Sequence, residues 1–132
     1  MSEEDAPQIL CFGEVLWDSL PRGLFPGGAP LNVAYHLRKF GLRPIPVTAV
    51  GRDRLGEELF RRLDAWNIES FGVAVDPDRG TGLSRVTLKD GSPEFEISPE
   101  AAWDRIELSP RVLAVASRSS AVVFGSLAQR SP

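Results

Sequence analysis

A single cysteine, Cys11, and a single histidine, His36, occur in a chain of 132 residues. One thiol excludes an internal disulfide framework, and a reducing cytoplasm is the expected compartment. One histidine in the middle of a helical pattern argues against a histidine-based metal or catalytic site. Basic residues are not in excess: 15 Lys and Arg stand against 18 Asp and Glu, for a formal net charge of −3. That excludes the concentrated basic face that generic nucleic-acid binding needs. No apolar run approaches the ~20 residues of a membrane-spanning helix. The start, MSEEDAPQ, lacks the basic and apolar parts of a secretory signal. There is no Gly-x-x-x-x-Gly-Lys, and no Gly-x-Gly-x-x-Gly follows the first strand, so neither common nucleotide loop has support. Internal repeats and low-complexity segments are also missing.

What is present is globular. Apolar residues make up 42% and charged residues 25%, and a chain of this length can bury roughly two thirds of its unfolded surface in one domain. Residues 1–7 read as a flexible tail, and 8–132 as the folded part. Ile9–Leu16 is an apolar run suited to a buried strand. Asp18–Pro30 is rich in turn residues. Pro30–Phe40 reads as a helix, with proline in its first turn, a stripe of Leu31, Ala34, Leu37 and Phe40 or Tyr35, and Gly41 at its end. Ile45–Val50 is a second strand, so a βαβ unit with parallel strands is expected.

Leu55–Trp66 has one apolar face and predicts a second helix, closed by Asn67. Phe71–Val75 is a short strand. Leu83–Leu88 and Glu94–Ile97 alternate apolar and polar residues around an Asp90-Gly91 turn, which predicts a half-exposed hairpin. Ser109-Pro110 opens a third helix, and Ala121–Gly125 reads as another buried strand. Solidly apolar strands beside alternating ones imply two kinds of sheet: a buried parallel core and a smaller antiparallel piece. Cys11 reads as a small core residue.

The segment most suggestive of chemistry is Gly27-Gly28-Ala29-Pro30-Leu31-Asn32. Glycines let the backbone approach a ligand closely, and a helix start presents free N–H groups. Asn32 offers both a donor and an acceptor, which suits a sugar hydroxyl. Taken alone, the same string is equally a plain loop and helix cap. Its surroundings add to it. Gly27–Ala34, Leu37, Gly41, Val50-Gly51-Arg52-Asp53 and Gly56 together resemble the N-terminal signature of the ribokinase-type (PfkB) carbohydrate kinases. Gly13-Glu14-Val15-Leu16-Trp17-Asp18, Ala102-Trp103-Asp104 and Phe124–Arg130 resemble fructokinase segments. The resemblance runs from about Ile9 to Arg130.

That resemblance implies an α/β, ribokinase-like fold: a mostly parallel sheet with flanking helices and a small antiparallel lid hairpin. The C-terminal half of such a fold is expected to be missing. Lid elements are expected at about 17–26, 71–76 and 81–98. Asp18 matches an early aspartate that accepts hydrogen bonds from sugar hydroxyls; outside that context it is a turn aspartate. Gly27 and Gly28 match glycines that pass beside the sugar, and Asn32 matches an asparagine that contacts it. Ala29, Trp103 and Arg130 are candidates for the sugar's vicinity, although Trp103 suits a core position equally and Arg130 lies near a chain end that can fray. Asp53 suits a turn or cap. Members of the family use ATP and Mg2+, and their catalytic aspartate lies in a Gly-Ala-Gly-Asp segment. The nearest string here is Asp78-Arg79-Gly80-Thr81-Gly82, which has the wrong order.

Three readings follow. One is a fructokinase-like portion of an ATP-dependent sugar kinase, inactive alone, with another sugar or nucleoside kinase as its near alternative. A second is a non-catalytic sugar-binding module. A third is a relic with an aggregation-prone sheet edge. The expected partner is a small sugar, fructose first. A homodimer through the lid, or association with a missing C-terminal half, is a further candidate.

Overall fold

The computed structural model describes residues 2–132. Its core is a parallel sheet of β1 (Gln8–Phe12), β4 (Arg43–Gly51), β5 (Val73–Asp76) and β8 (Ala121–Phe124), in the order β5-β4-β1-β8. α1 (Ala29–Lys39) and α2 (Arg54–Ala65) connect β1 to β4 and β4 to β5. They bury Leu31, Leu59 and Leu63 against Val50 and Val73 on one face of the sheet. α3 (Pro110–Ala116) covers the other face, where Val112 and Val115 meet Leu10, Ile45 and Val47. Both faces of β4 are therefore buried, which explains its continuous run of apolar residues and prolines. Among the described residues, no helix is long and apolar enough to cross a membrane.

The second sheet is larger than the expected hairpin. β2 (Leu16–Leu20), β3 (Gly23–Gly27), β6 (Gly82–Lys89) and β7 (Ser92–Ile97) form a mixed sheet in the order β3-β2-β6-β7. β2–β3 and β6–β7 are antiparallel hairpins, joined by parallel pairing of β2 with β6. Asp90 and Gly91 turn the second hairpin with positive φ at both residues (51° and 79°), as the Asp-Gly signal predicts. The segments 17–26 and 81–98 supply the strands of this sheet.

Several expectations change. The Ile9–Leu16 run is two strands in two sheets, because the chain leaves the core at Gly13 and Leu16 starts β2. The turn-rich stretch after Asp18 is the β2–β3 hairpin. Residues 71–76 do not join this second sheet. Val73–Asp76 pairs in parallel with Thr48–Gly51, since α2 returns the chain to the edge of the core sheet. β8, expected to be buried, has Phe124 65% exposed because it forms an edge with one face uncovered. Phe40, proposed for the α1 stripe, is 82% exposed; Leu31 and Ala34 are buried. Gly41 (φ 84°) and Asn67 (φ 58°) end α1 and α2 in left-handed conformations, as their positions suggest. Of the expected tail, residues 2–7 carry a 3-10 turn at Glu3–Asp5, a buried Ala6 and an Arg38–Glu3 ion pair of 2.6 Å; Met1 lies outside the described residues. Cys11 is buried, and burial pushes its thiol up to about 11.

The two sheets are fastened by Asp53. It caps α2 by accepting from the Gly56 N–H at 2.8 Å, and it accepts from the Thr81 N–H (2.9 Å) and hydroxyl (2.6 Å) just before β6. The Thr81 hydroxyl oxygen accepts in turn from the Gly51 N–H at 2.9 Å. Burial alone would raise the Asp53 carboxyl, but the Thr81 and Gly56 donors outweigh it and hold the carboxyl below the ordinary range. A depressed carboxyl contributes stability that is full above its ordinary pKa and is lost as pH falls through that range toward the folded value. Wild-type stability is therefore expected to fall on acidification below about pH 5. The acid limb should be flatter in Asp53→Asn, as measured by urea unfolding at stepped pH. An identical acid limb in Asp53→Asn counts against this account.

Candidate functional site

In the core sheet the chain steps from β1 to β4 to β5, then returns to the other flank of β1 with β8. The strand order thus reverses between β1 and β8. In open α/β sheets, ligands bind outside the carboxyl ends of the strands at such a reversal. The segments leaving those ends here are Gly13-Glu14-Val15 and Gly125-Ser126. The second sheet is rooted beside them, because β2 begins at Leu16 and β3 ends at Gly27 next to the start of α1.

Asp18 and Gly27 are brought together. Their strands pair so that Asp18 stands opposite Phe25, two residues before Gly27. The Asp18 carboxylate lies over the Gly27 Cα so closely that a Cβ there would overlap Oδ2. A glycine is therefore needed at 27 for the aspartate to occupy this place. Burial pushes the Asp18 carboxyl above its ordinary range. Gly28 follows with φ 103°, and a Cβ on it would lie 2.5 Å from the Glu14 carbonyl oxygen. It serves as the N-cap of α1, and Ala29 and Pro30 open the helix. Asn32 is one turn on, its N–H donating to the Gly28 carbonyl at 3.0 Å. Its side chain is exposed and borders a groove with Phe25, Pro26, Tyr35 and His36. Ala29 is exposed beside the glycines.

Strand alternation sets the character of the second sheet. On the Asp18 face stand Leu20, Phe25, Leu88 and Phe95, all substantially exposed. On the opposite face Trp17 is buried against α2, donating its indole N–H to the Leu55 carbonyl at 3.1 Å, and Arg85, Lys89, Glu94 and Glu96 lie farther out. The carboxylate of Asp18 is thus set at the root of an apolar face.

Trp103 and Arg130 pack together beside Gly82, which pairs with Leu16 of β2. Trp103 is 1% exposed, with its indole edge against the Gly82 Cα and its N–H buried without a partner among the described residues. The Arg130 guanidinium lies 4.1 Å above the Trp103 ring. It donates to both Asp104 oxygens (2.8 and 2.6 Å) and to the Ser98 carbonyl at 2.8 Å. Arg130 is therefore anchored despite its position near the chain end. Its hydrogen bond holds the Asp104 carboxyl below the ordinary range and raises Arg130 in turn. Sequence reasoning did not single out Glu14, which is 4% exposed. The signal for it was a lone carboxylate inside the apolar run from Ile9 to Trp17. Among the described residues, no group of three or more His, Cys, Asp or Glu side chains is placed to hold a metal ion.

The parallel sheet with helices on both faces carries a second, mixed sheet at its carboxyl edge, an α/β arrangement that matches ribokinase-like kinases. The match to known proteins is more specific. Residues 11–132 match the pfkB family carbohydrate kinases, and the chain belongs to that family. It is 36% identical over 107 residues to a protein named probable fructokinase-6, chloroplastic, of Arabidopsis thaliana, covering 71% of this chain and 28% of that one. Fructokinase from Xylella fastidiosa superposes with a TM-score of 0.79 at 27% identity, covering 90% of this chain and 41% of that structure. An uncharacterized sugar kinase from Pyrococcus horikoshii in complex with ATP superposes with a TM-score of 0.75 at 26% identity, covering 92% and 43%. The chain spans between a quarter and two fifths of the length of the curated relatives it matches (25% to 40%).

Proposed function

We propose that this chain is the sugar-binding portion of a fructokinase-like, ATP-dependent carbohydrate kinase. The observation that carries the proposal is the Asp18 carboxylate, set over the Gly27 backbone at the root of an apolar lid face and beside the start of α1. Asp18 accepts hydrogen bonds from sugar hydroxyls; an ionised acceptor makes the stronger bonds. Gly27 and Gly28 leave the backbone bare, so a sugar ring can approach it. Asn32 adds a donor and an acceptor on the same helix turn. The lid's apolar face excludes water from the bound sugar, which protects phosphoryl transfer from hydrolysis. Fructose is the first candidate, on the strength of the fructokinase relatives.

ATP with Mg2+, when bound, supplies the phosphoryl group in this chemistry. No residue set for either is identified in this segment, and no step is assigned to them. Transfer needs base, anion-stabilising groups and metal-bound nucleotide in one place. The chain alone is therefore expected to bind sugar in the cytoplasm without phosphorylating it. Leu20, Phe25, Leu88 and Phe95 suit contact with a second subunit, and the open β8 edge suits the remainder of a kinase fold.

The test is calorimetry of the purified chain with fructose, ribose and adenosine, together with an ATP-turnover assay. Heat with fructose and no turnover is expected. Binding of adenosine in preference to fructose would move the assignment to a nucleoside kinase. Ordinary fructose turnover by the isolated chain would refute its inactivity.

A further inference from the structure

Glu14 is the buried acidic residue that the proposed sugar site leaves without a role. It follows Gly13 at the carboxyl end of β1, where the strand order reverses. Three observations converge on its side chain. It is 4% exposed. Its Oε1 accepts from the Ala29 N–H, the first helical N–H of α1, at 3.3 Å. Its Oε2 has no hydrogen-bond partner among the described residues and faces Gly125, where a Cβ would lie 3.0 Å from it. Its own carbonyl oxygen lies against the Cα of Gly28. One residue therefore touches the end of β1, the glycine turn, the start of α1 and the end of β8.

A buried carboxylate is costly unless donors answer it. The Ala29 N–H is one of the four at a helix start with no partner inside the helix, and the positive end of the α1 dipole lies there. The attraction runs both ways, so the carboxyl fixes where that helix start sits. The Gly27–Gly28 backbone, one and two residues earlier, is fixed with it. We infer that Glu14 is a positioning residue: its carboxyl pins the α1 start to the end of β1 and so holds the Gly27–Gly28 turn against Asp18. Its value for sugar binding rests on the proposed function; its effect on the turn does not. Gly125 is small because β8 must pass this carboxyl closely.

The experiment uses the whole chain with two variants, Glu14→Ala and Glu14→Gln. Amide hydrogen exchange is read by NMR and fructose affinity by calorimetry. A hydrogen bond to a charged group contributes ~1.5–3 kcal/mol, so its loss is expected to speed Ala29 exchange about 10-fold or more relative to the α1 interior. Glutamine keeps an acceptor oxygen and should hold Ala29 exchange within about 3-fold of wild type. Fructose affinity should follow the same order: weakened about 10-fold in Glu14→Ala and largely rescued in Glu14→Gln. A purely packing role for Glu14 would not distinguish the two variants in this way. Unchanged Ala29 exchange in Glu14→Ala overturns the inference, as does equal loss in both variants. If Glu14→Ala does not fold, Gly125→Ala gives the second reading, because it keeps the carboxyl but crowds Oε2. It should shift the Ala29 amide resonance, and an indifferent Ala29 overturns the inference. If the wild-type chain binds no fructose, the sugar reading fails while the exchange result still decides the role of Glu14.

Discussion

Replacing Asp18 with asparagine is expected to remove most of the chain's affinity for fructose while making the fold more stable at neutral pH. The two effects have one cause. Burial raises the Asp18 carboxyl, so the folded state resists its ionisation. A raised carboxyl favours folding at low pH, and that advantage is lost as pH rises through the ordinary aspartate range to the folded value. At neutral pH the ionised carboxylate therefore carries a cost, which asparagine removes. The same carboxylate is the proposed acceptor for sugar hydroxyls. Asparagine loses the charge and turns one of the two acceptor oxygens into an NH2 donor, so a sugar hydroxyl that needs the second oxygen is left unanswered, at ~1.5–3 kcal/mol or about 10- to 100-fold in affinity. Wild-type affinity should also decline on acidification at a pH above the usual aspartate range. Calorimetry and urea unfolding at neutral pH check both halves. A variant that binds fructose normally removes Asp18 from the site, and one that is less stable than wild type contradicts the burial argument.

Gly28→Ala is expected to be strongly destabilising. Two penalties combine at this position. With φ 103°, an L side chain is strained, and the new Cβ would lie 2.5 Å from the Glu14 carbonyl oxygen. Strain of this kind costs ~1–3 kcal/mol, and forced repacking adds ~1–3 kcal/mol. Gly41→Ala separates the two. Gly41 also has a positive φ (84°), but nothing lies within 4 Å of its Cβ position. It should cost only ~1 kcal/mol. Urea midpoints of the two variants give the comparison. Equal losses would mean that the close approach between the β1 exit and the glycine turn contributes nothing.

The parts of the fold that were readable in the sequence are those with local causes. Pro30 in the first turn of α1, Gly41 and Asn67 after the two helices, Ser109 capping α3 and Asp90-Gly91 in the hairpin each act within a few residues. Three of the misreadings concern partners distant in sequence. Val73–Asp76 looks the same whether it joins a lid or extends the core sheet, and only α2's return path decides. Ala121–Phe124 has the composition of a buried strand, but exposure depends on what lies beside it, and here it is an edge. The parallel pairing of β2 with β6, which turns two hairpins into one sheet, joins residues more than sixty positions apart and leaves no local signal.

The site was partly legible for the same reason. Gly27, Gly28 and Asn32 form one short string, and Asp18 stood out beside it through the resemblance to sugar kinases. The contact of Asp18 with the Gly27 Cα needed the hairpin register. Glu14 and Gly125 are far apart in sequence and meet only because β1 and β8 are neighbours. Trp103 and Arg130 were weighed as neighbours of the sugar. Their observed partners are Gly82, Asp104 and Ser98, a cluster that ties the end of β7 to the end of the chain.

The central claim is that the Asp18–Gly28 corner is a sugar site. The most direct measurement is an NMR titration of the assigned chain with fructose. The account predicts saturable shifts concentrated at Asp18, Gly27, Gly28, Ala29 and Asn32, absent in Asp18→Asn, with Trp103 and Arg130 little changed. Saturable shifts centred elsewhere, or no shifts in a folded wild-type chain, would contradict it.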